Sequence, residues 1–173
     1  MAHDSRRLLA SPMHPIFTHF TIALTASSLA FDALGRIFDV SSLAAAGWWT
    51  IVGAVPATIG ALVSGVTSRR RLAMEEGTGR NWLRAHMALG PTFLGGLVAS
   101  AVWRAATWLD GKPISWAYLV SLGAVVAAMA LQGYLGGELV YRFGAEVRER
   151  YVKLPNEREP AGEPPRRSRT RPV

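Results

Sequence analysis

The sequence reads as an all-α polytopic membrane protein, four transmembrane helices in an up-down bundle with both termini cytoplasmic. Three observations carry that reading. Charged residues collect near the two ends and in one central loop, while long tracts between them carry almost none. Each tract reaches the about 20 apolar residues that cross a hydrocarbon layer of roughly 30 Å. Aromatic residues stand at the tract edges, at Trp48-Trp49, Trp82, Trp103, Trp108, Trp116 and Tyr118, where amphipathic rings favour the membrane-water boundary. Lys and Arg are unevenly shared: 2 precede the first tract, 5 lie in the central loop and 9 follow the fourth, with only Arg36, Arg104 and Lys112 elsewhere. Positive residues mark the cytoplasmic side, so both ends and the central loop are expected inside.

Composition narrows the chemistry. There is no cysteine among the 173 residues, which removes disulfides, thiolate metal ligands, iron-sulfur clusters and cysteine nucleophiles. A net charge of +7 would suit nucleic acid in a soluble protein, but arginines flanking apolar spans record membrane orientation. The lipid bilayer, and no nucleic acid, is the expected partner. Arg6-Arg7-Leu8-Leu9 runs into Pro12, His14, Pro15 and His19 rather than into an apolar core with a cleavage site. It is expected to be a retained cytoplasmic flank. The organisation is then 1–13 flank, 14–145 transmembrane domain and 146–173 disordered basic cytoplasmic tail.

The first span covers about 14–37, with Pro15 in the first turn and Gly35 near the exit. His14, Thr18, Thr21, Thr25, Ser28 and Asp32 recur at alternating steps of four and three, one stripe of a helix. The other side carries His19, Ala23, Ala26, Ala30 and Ala33, a strip of small residues suited to close helix contact. The second span, about 46–67, enters through Trp48-Trp49 and has Pro56 in its middle, with Gly53, Ala57, Gly60, Ala61 and Gly65 as small packing surfaces.

The third span, about 83–108, carries His86, Gly90, Phe93, Leu97, Ser100 and Arg104 on one stripe. His86 and Arg104 stand 18 positions apart, as do His14 and Asp32, a rise of roughly 27 Å. Docking these stripes on parallel helices brings Asp32 to Arg104 at one end as His86 meets His14 at the other. The fourth span, about 115–141, holds a Gly133-Gly137 G-x-x-x-G pair, a packing signal compatible with a homo-oligomer. Glu138 lies four residues before Arg142, in the favourable helical order.

His14-Pro15, His19-Phe20-Thr21-Ile22-Ala23-Leu24, His86, and Gly133-Tyr134-Leu135-Gly136-Gly137-Glu138-Leu139-Val140-Tyr141 together resemble the bacterial membrane family catalogued as domain of unknown function 2231. The similarity spans about residues 13 to 145, and the closing Gly-Gly-Glu-Leu-Val-Tyr segment is its most specific part. The resemblance implies a four-helix protein of the bacterial cytoplasmic membrane. It also implies an electron-transfer setting, since members of the family are sometimes joined to Rieske-type iron-sulfur modules. Two positions depart from the pattern: Gly65-Val66-Thr67 lacks the acid common near the end of helix two, and Phe143 stands where His is common.

From the residues themselves, two histidines on parallel helices at one depth can hold a haem iron in a four-helix bundle. His86 is the first candidate ligand, and its partner is His19 or His14. These two point about 140° apart on a helix, so they do not serve one iron together. His19 is favoured because it lies deeper and its alanine strip leaves room for a porphyrin, with His14 then an N-cap. Glu138, Tyr134 and Arg142 are expected around the cofactor or a quinone. A second reading gathers His14, His19, His86 and Glu138 around zinc or iron. A third is a cofactor-free membrane scaffold or partner subunit. No nucleophile elbow, phosphate loop or paired catalytic acids point to a hydrolase or transferase, so any activity expected is electron transfer.

Overall fold

A computed structural model describes residues 13–69 and 78–143. The N-terminal flank up to residue 12, the centre of the basic loop and the tail predicted over 146–173 lie outside the described residues. Four helices account for almost all of the rest: α1 Met13–Phe38, α2 Ser41–Arg69, α3 Thr78–Leu109 and α4 Trp116–Tyr141. Each is long and apolar enough to cross a membrane, and no strand occurs among the described residues.

Two helices begin earlier than their apolar tracts. α2 starts at Ser41 rather than 46, because the turn before it is only two residues long and the Val40 carbonyl already accepts from the amides of Leu43 and Ala44. α3 starts at Thr78 rather than 83, so a polar turn of helix precedes Trp82. A hydropathy boundary marks where the hydrocarbon begins, and a helix is free to continue past it.

Both hairpin turns end their first helix in the same way. After α1, Asp39 takes the left-handed conformation (φ 55°) and the Val40 amide donates to the Gly35 carbonyl at 3.1 Å. After α3, Gly111 does so (φ 62°) and the Lys112 amide donates to the Thr107 carbonyl at 3.0 Å. This closure uses the carbonyls that a helix end leaves free. Ser115 then caps α4 by accepting from the Tyr118 amide.

The helices pack in the cyclic order α1, α2, α3, α4, so that α1 lies diagonally across from α3 and α2 from α4. α1 sits closest to α2, because glycines of α2 receive its side chains. A Cβ on Gly60 would lie 2.7 Å from the Phe17 ring, and one on Gly47 would lie 2.6 Å from Asp32 Cγ. The buried face of α1 is therefore the polar stripe, with Thr21, Thr25, Ser28 and Asp32 all inside. The alanine strip does not make the close contact expected of it: His19, Ala23, Ala26 and Ala30 are exposed. One helix buries one face, and the glycines of α2 meet the opposite one. Ile51, Ala54, Leu97 and Leu122 fill the apolar centre, while Val63, Val102 and Val120 project outward as lipid-facing residues do.

Two polar ends of one bundle

The buried polar groups fall into two clusters at opposite ends of the bundle. At the end where α1 leaves for α2, the Asp32 carboxylate is fully buried and meets Arg104, which is 2% exposed. Arg104 Nε donates to Oδ1 and Oδ2 at 3.2 and 3.1 Å, and Nη2 donates to Oδ1 at 3.1 Å. Nη2 also donates to the Ala44 carbonyl at 2.8 Å, and the Tyr118 hydroxyl donates to Asp32 Oδ2 at 3.1 Å. Every oxygen of the carboxylate is thus satisfied, which a buried charge requires if it is to stay ionised. The guanidinium also lies 5.5 Å over the Trp108 ring, which stacks on Trp48.

Between the ends, the α1 stripe is stitched to α2 by hydroxyls. Ser28 donates to the Gly47 carbonyl at 3.0 Å, and Thr58 lies 3.3 Å from Thr21 Oγ1 while donating to the Ala54 carbonyl. Thr25 Oγ1 is fully buried among these without a hydrogen-bond partner.

The other end holds the histidines. His14 places Nδ1 2.8 Å from the Ala61 carbonyl of α2, and His86 places Nδ1 3.2 Å from the Gln132 carbonyl of α4. A carbonyl oxygen only accepts, so Nδ1 carries the proton in each ring and Nε2 of the neutral imidazole is left with a free lone pair. That is the tautomer a metal-ligating histidine adopts when a backbone carbonyl orients it. Both side chains are half-buried, and they lie near enough to interact electrostatically. Each ring edge rests on a glycine: a Cβ on Gly65 would lie 3.0 Å from His14 Cε1, and one on Gly136 3.2 Å from His86 Cε1. Ser64 Oγ stands 3.5 Å from His14 Nδ1, and the buried Gln132 Oε1 lacks a hydrogen-bond partner.

His19 is not brought to this cluster. It is exposed on the outer face of α1, and its Nδ1 folds back to the Pro15 carbonyl at 2.6 Å. The inward imidazole of α1 is His14, on the stripe that ends in Asp32, because α2 packs on that stripe. Part-buried Glu138 and exposed Arg142 form an i,i+4 pair at 3.6 Å, and the exposed Tyr134 ring tilts against Trp82 at 6.2 Å. The four-ligand site of His14, His19, His86 and Glu138 is not assembled: among the described residues no three His, Cys, Asp or Glu side chains gather as a metal-ligand set.

Several residues of both clusters carry no signal that reading the sequence had used. Gly65 and Gly136 appear there as packing or motif glycines and Tyr118 as an interfacial aromatic, while Gly47, Gln132 and Ser64 carry no expectation. A lone glutamine in the apolar run of α4 was the available sign, since a polar amide in lipid must face protein.

No curated protein and no solved structure matches the chain. A family model does, described as "Predicted membrane protein (DUF2231)", over residues 10–149. With the match running through all four apolar helices, the chain is a multi-pass membrane protein belonging to that family.

Proposed function

We propose that this protein is an electron-transfer protein of the bacterial cytoplasmic membrane that holds a b-type haem between His14 and His86. The observation that carries the proposal is the matched pair of half-buried imidazoles on diagonal helices, each oriented through Nδ1 by a backbone carbonyl with Nε2 unengaged. The donor set suits haem better than a bare divalent ion. A porphyrin supplies four donors of its own and asks the protein for two, whereas a zinc or iron site built from side chains needs three or four. Haem bound there would supply one-electron exchange.

The chain's own residues then have limited roles. Ala61 and Gln132 hold the two rings in one tautomer through their carbonyls, and Gly65 and Gly136 leave space for the ring edges. Arg80, Arg84 and Arg142 lie toward this end in the sequence, which supports a cytoplasmic orientation for it and for both termini. Tyr134 and Glu138 stand on α4 beside Gly136, with Arg142 at its C-cap, where a quinone or a redox protein of the Rieske type would approach.

The test is the absorption spectrum of the detergent-purified protein, oxidised and dithionite-reduced, beside His86→Ala. A Soret band with sharp reduced α and β bands, lost in the variant, is the expected result. A colourless protein, free of metal after expression with ample haem, would overturn the proposal in favour of a cofactor-free scaffold or partner subunit.

A further inference from the structure

We infer that the chain is one helical hairpin used twice, the two copies related by a twofold axis along the bundle, and that the histidine end is an axial site taking a single ligand from both copies at once. Adding 72 to a residue of α1 gives its counterpart in α3. The buried positions Thr21, Thr25, Ser28 and Asp32 become Phe93, Leu97, Ser100 and Arg104, all buried. Histidine 14 becomes His86. The left-handed Asp39 becomes the left-handed Gly111, and the bond from the Val40 amide to the Gly35 carbonyl becomes that from Lys112 to Thr107. Across the connection the register slips by one, so the shift is 71 for the second helices, although six residues separate α3 from α4 and only two separate α1 from α2. There the buried Gly47, Ile51 and Thr58 become Tyr118, Leu122 and Met129, buried likewise.

The same shift of 71 carries one histidine seat onto the other. Ala61 becomes Gln132 and Gly65 becomes Gly136, so each imidazole meets a carbonyl and, four residues on, a glycine of its own hairpin. The diagonal placing of α1 against α3 and of α2 against α4 is what a twofold axis along the bundle produces. Because α1 and α3 run the same way, these are parallel repeats about an axis along the membrane normal.

The two ends of the axis are built differently. At one, the counterparts Asp32 and Arg104 carry opposite charges and close on each other. At the other, the counterparts are two like imidazoles, neither able to satisfy the other's free Nε2 as an acceptor. A ligand on the axis is contacted from two sides by the same group, which is how a planar metal macrocycle meets its axial ligands. One departure from symmetry at this end is specific: Gln132 places a buried, unpartnered amide oxygen where the first copy has Ala61, so one side of the ligand meets a polar acceptor that the other side lacks.

The ligand part of this inference rests on the haem reading, and the duplication does not. Two measurements keep them apart. In the first, His14→Gly and His86→Gly are each titrated with free imidazole and the six-coordinate haem spectrum is followed. Equivalent seats predict recovery in both, with midpoints within about threefold of each other, whereas recovery in one alone, or midpoints more than about tenfold apart, would overturn the axial site. In the second, spin labels on cysteines introduced into the otherwise cysteine-free chain report the distances 20–102 and 30–92, all four positions exposed. Those pairs exchange under the twofold, so their distance distributions should coincide. Separate distributions would refute the duplication, and coincident ones in a protein without haem would uphold it while the ligand reading failed.

Discussion

Gly47→Ala is the smallest change that should break the Asp32 end. The added methyl would lie 2.6 Å from Asp32 Cγ and 3.1 Å from the Asp32 amide nitrogen, against 3.4–4 Å for an ordinary contact. The carboxylate has to retreat by about 1 Å, which carries it beyond reach of Arg104 Nε and Nη2, now at 3.1–3.2 Å, or of the Tyr118 hydroxyl. Disrupting a buried charge pair from one side costs roughly 3–5 kcal/mol, and alanine returns up to about 1 kcal/mol of helix propensity. A net loss of about 2–4 kcal/mol is expected, read as the unfolding free energy in mild detergent under added denaturing detergent. The control is the same substitution in an Asp32→Ala, Arg104→Met background. With no carboxylate to displace, only the 3.1 Å approach to the backbone nitrogen of residue 32 remains, so Gly47→Ala should there cost at least about 2 kcal/mol less. An equal cost in both backgrounds would refute the reasoning, since the glycine would then serve helix packing rather than the ion pair.

Three further outcomes follow from the hydrogen-bond inventory and can be read in the same unfolding assay. Tyr118→Phe removes one donor to a buried carboxylate and should cost about 1.5–3 kcal/mol, more than a tyrosine to phenylalanine change at the exposed Tyr134. Thr25→Val replaces a fully buried hydroxyl without a partner by a methyl of the same shape and should be neutral or stabilising by about 1 kcal/mol; a clear loss would mean that the hydroxyl is satisfied by a bound water. Glu138→Gln should change stability by less than about 1 kcal/mol, because its contact with Arg142 is long at 3.6 Å and the arginine is exposed.

Much of this architecture was legible in the residues. The alternation of four and three steps from His14 to Asp32 and from His86 to Arg104 marks two inward faces, and their equal length places Asp32 opposite Arg104. The structure joins those two side chains within hydrogen-bond distance. Which of His14 and His19 faces inward was not legible, because helical periodicity defines two faces of α1 without saying which one α2 covers. That choice is made by space: Gly47, Gly60 and Gly65 of α2 receive Asp32, Phe17 and His14, and so turn the alanine strip outward. Small residues signal close approach only when the neighbour brings something to fill the gap, and here the filling comes from the polar stripe. The bond to Gln132 was hidden for a different reason. A lone amide in an apolar run signals an inward position, but what orients His86 is the backbone carbonyl, a group every residue carries, so the side chain does not announce that bond.

The same blindness covers the tautomers. Nothing in the order of residues says that both inward imidazoles bond through Nδ1, and the free Nε2 atoms on which the proposed function rests emerge only once α1 is set against α2 and α3 against α4.

The most direct test of the account sets His14→Ala beside His19→Ala and compares their reduced-minus-oxidised spectra with that of the unaltered protein. Loss of the α and β bands in His14→Ala, with His19→Ala keeping them, is the predicted result, because His14 is half-buried at the same end as His86 and His19 faces outward. Bands that survive in His14→Ala and vanish in His19→Ala would contradict the site described here.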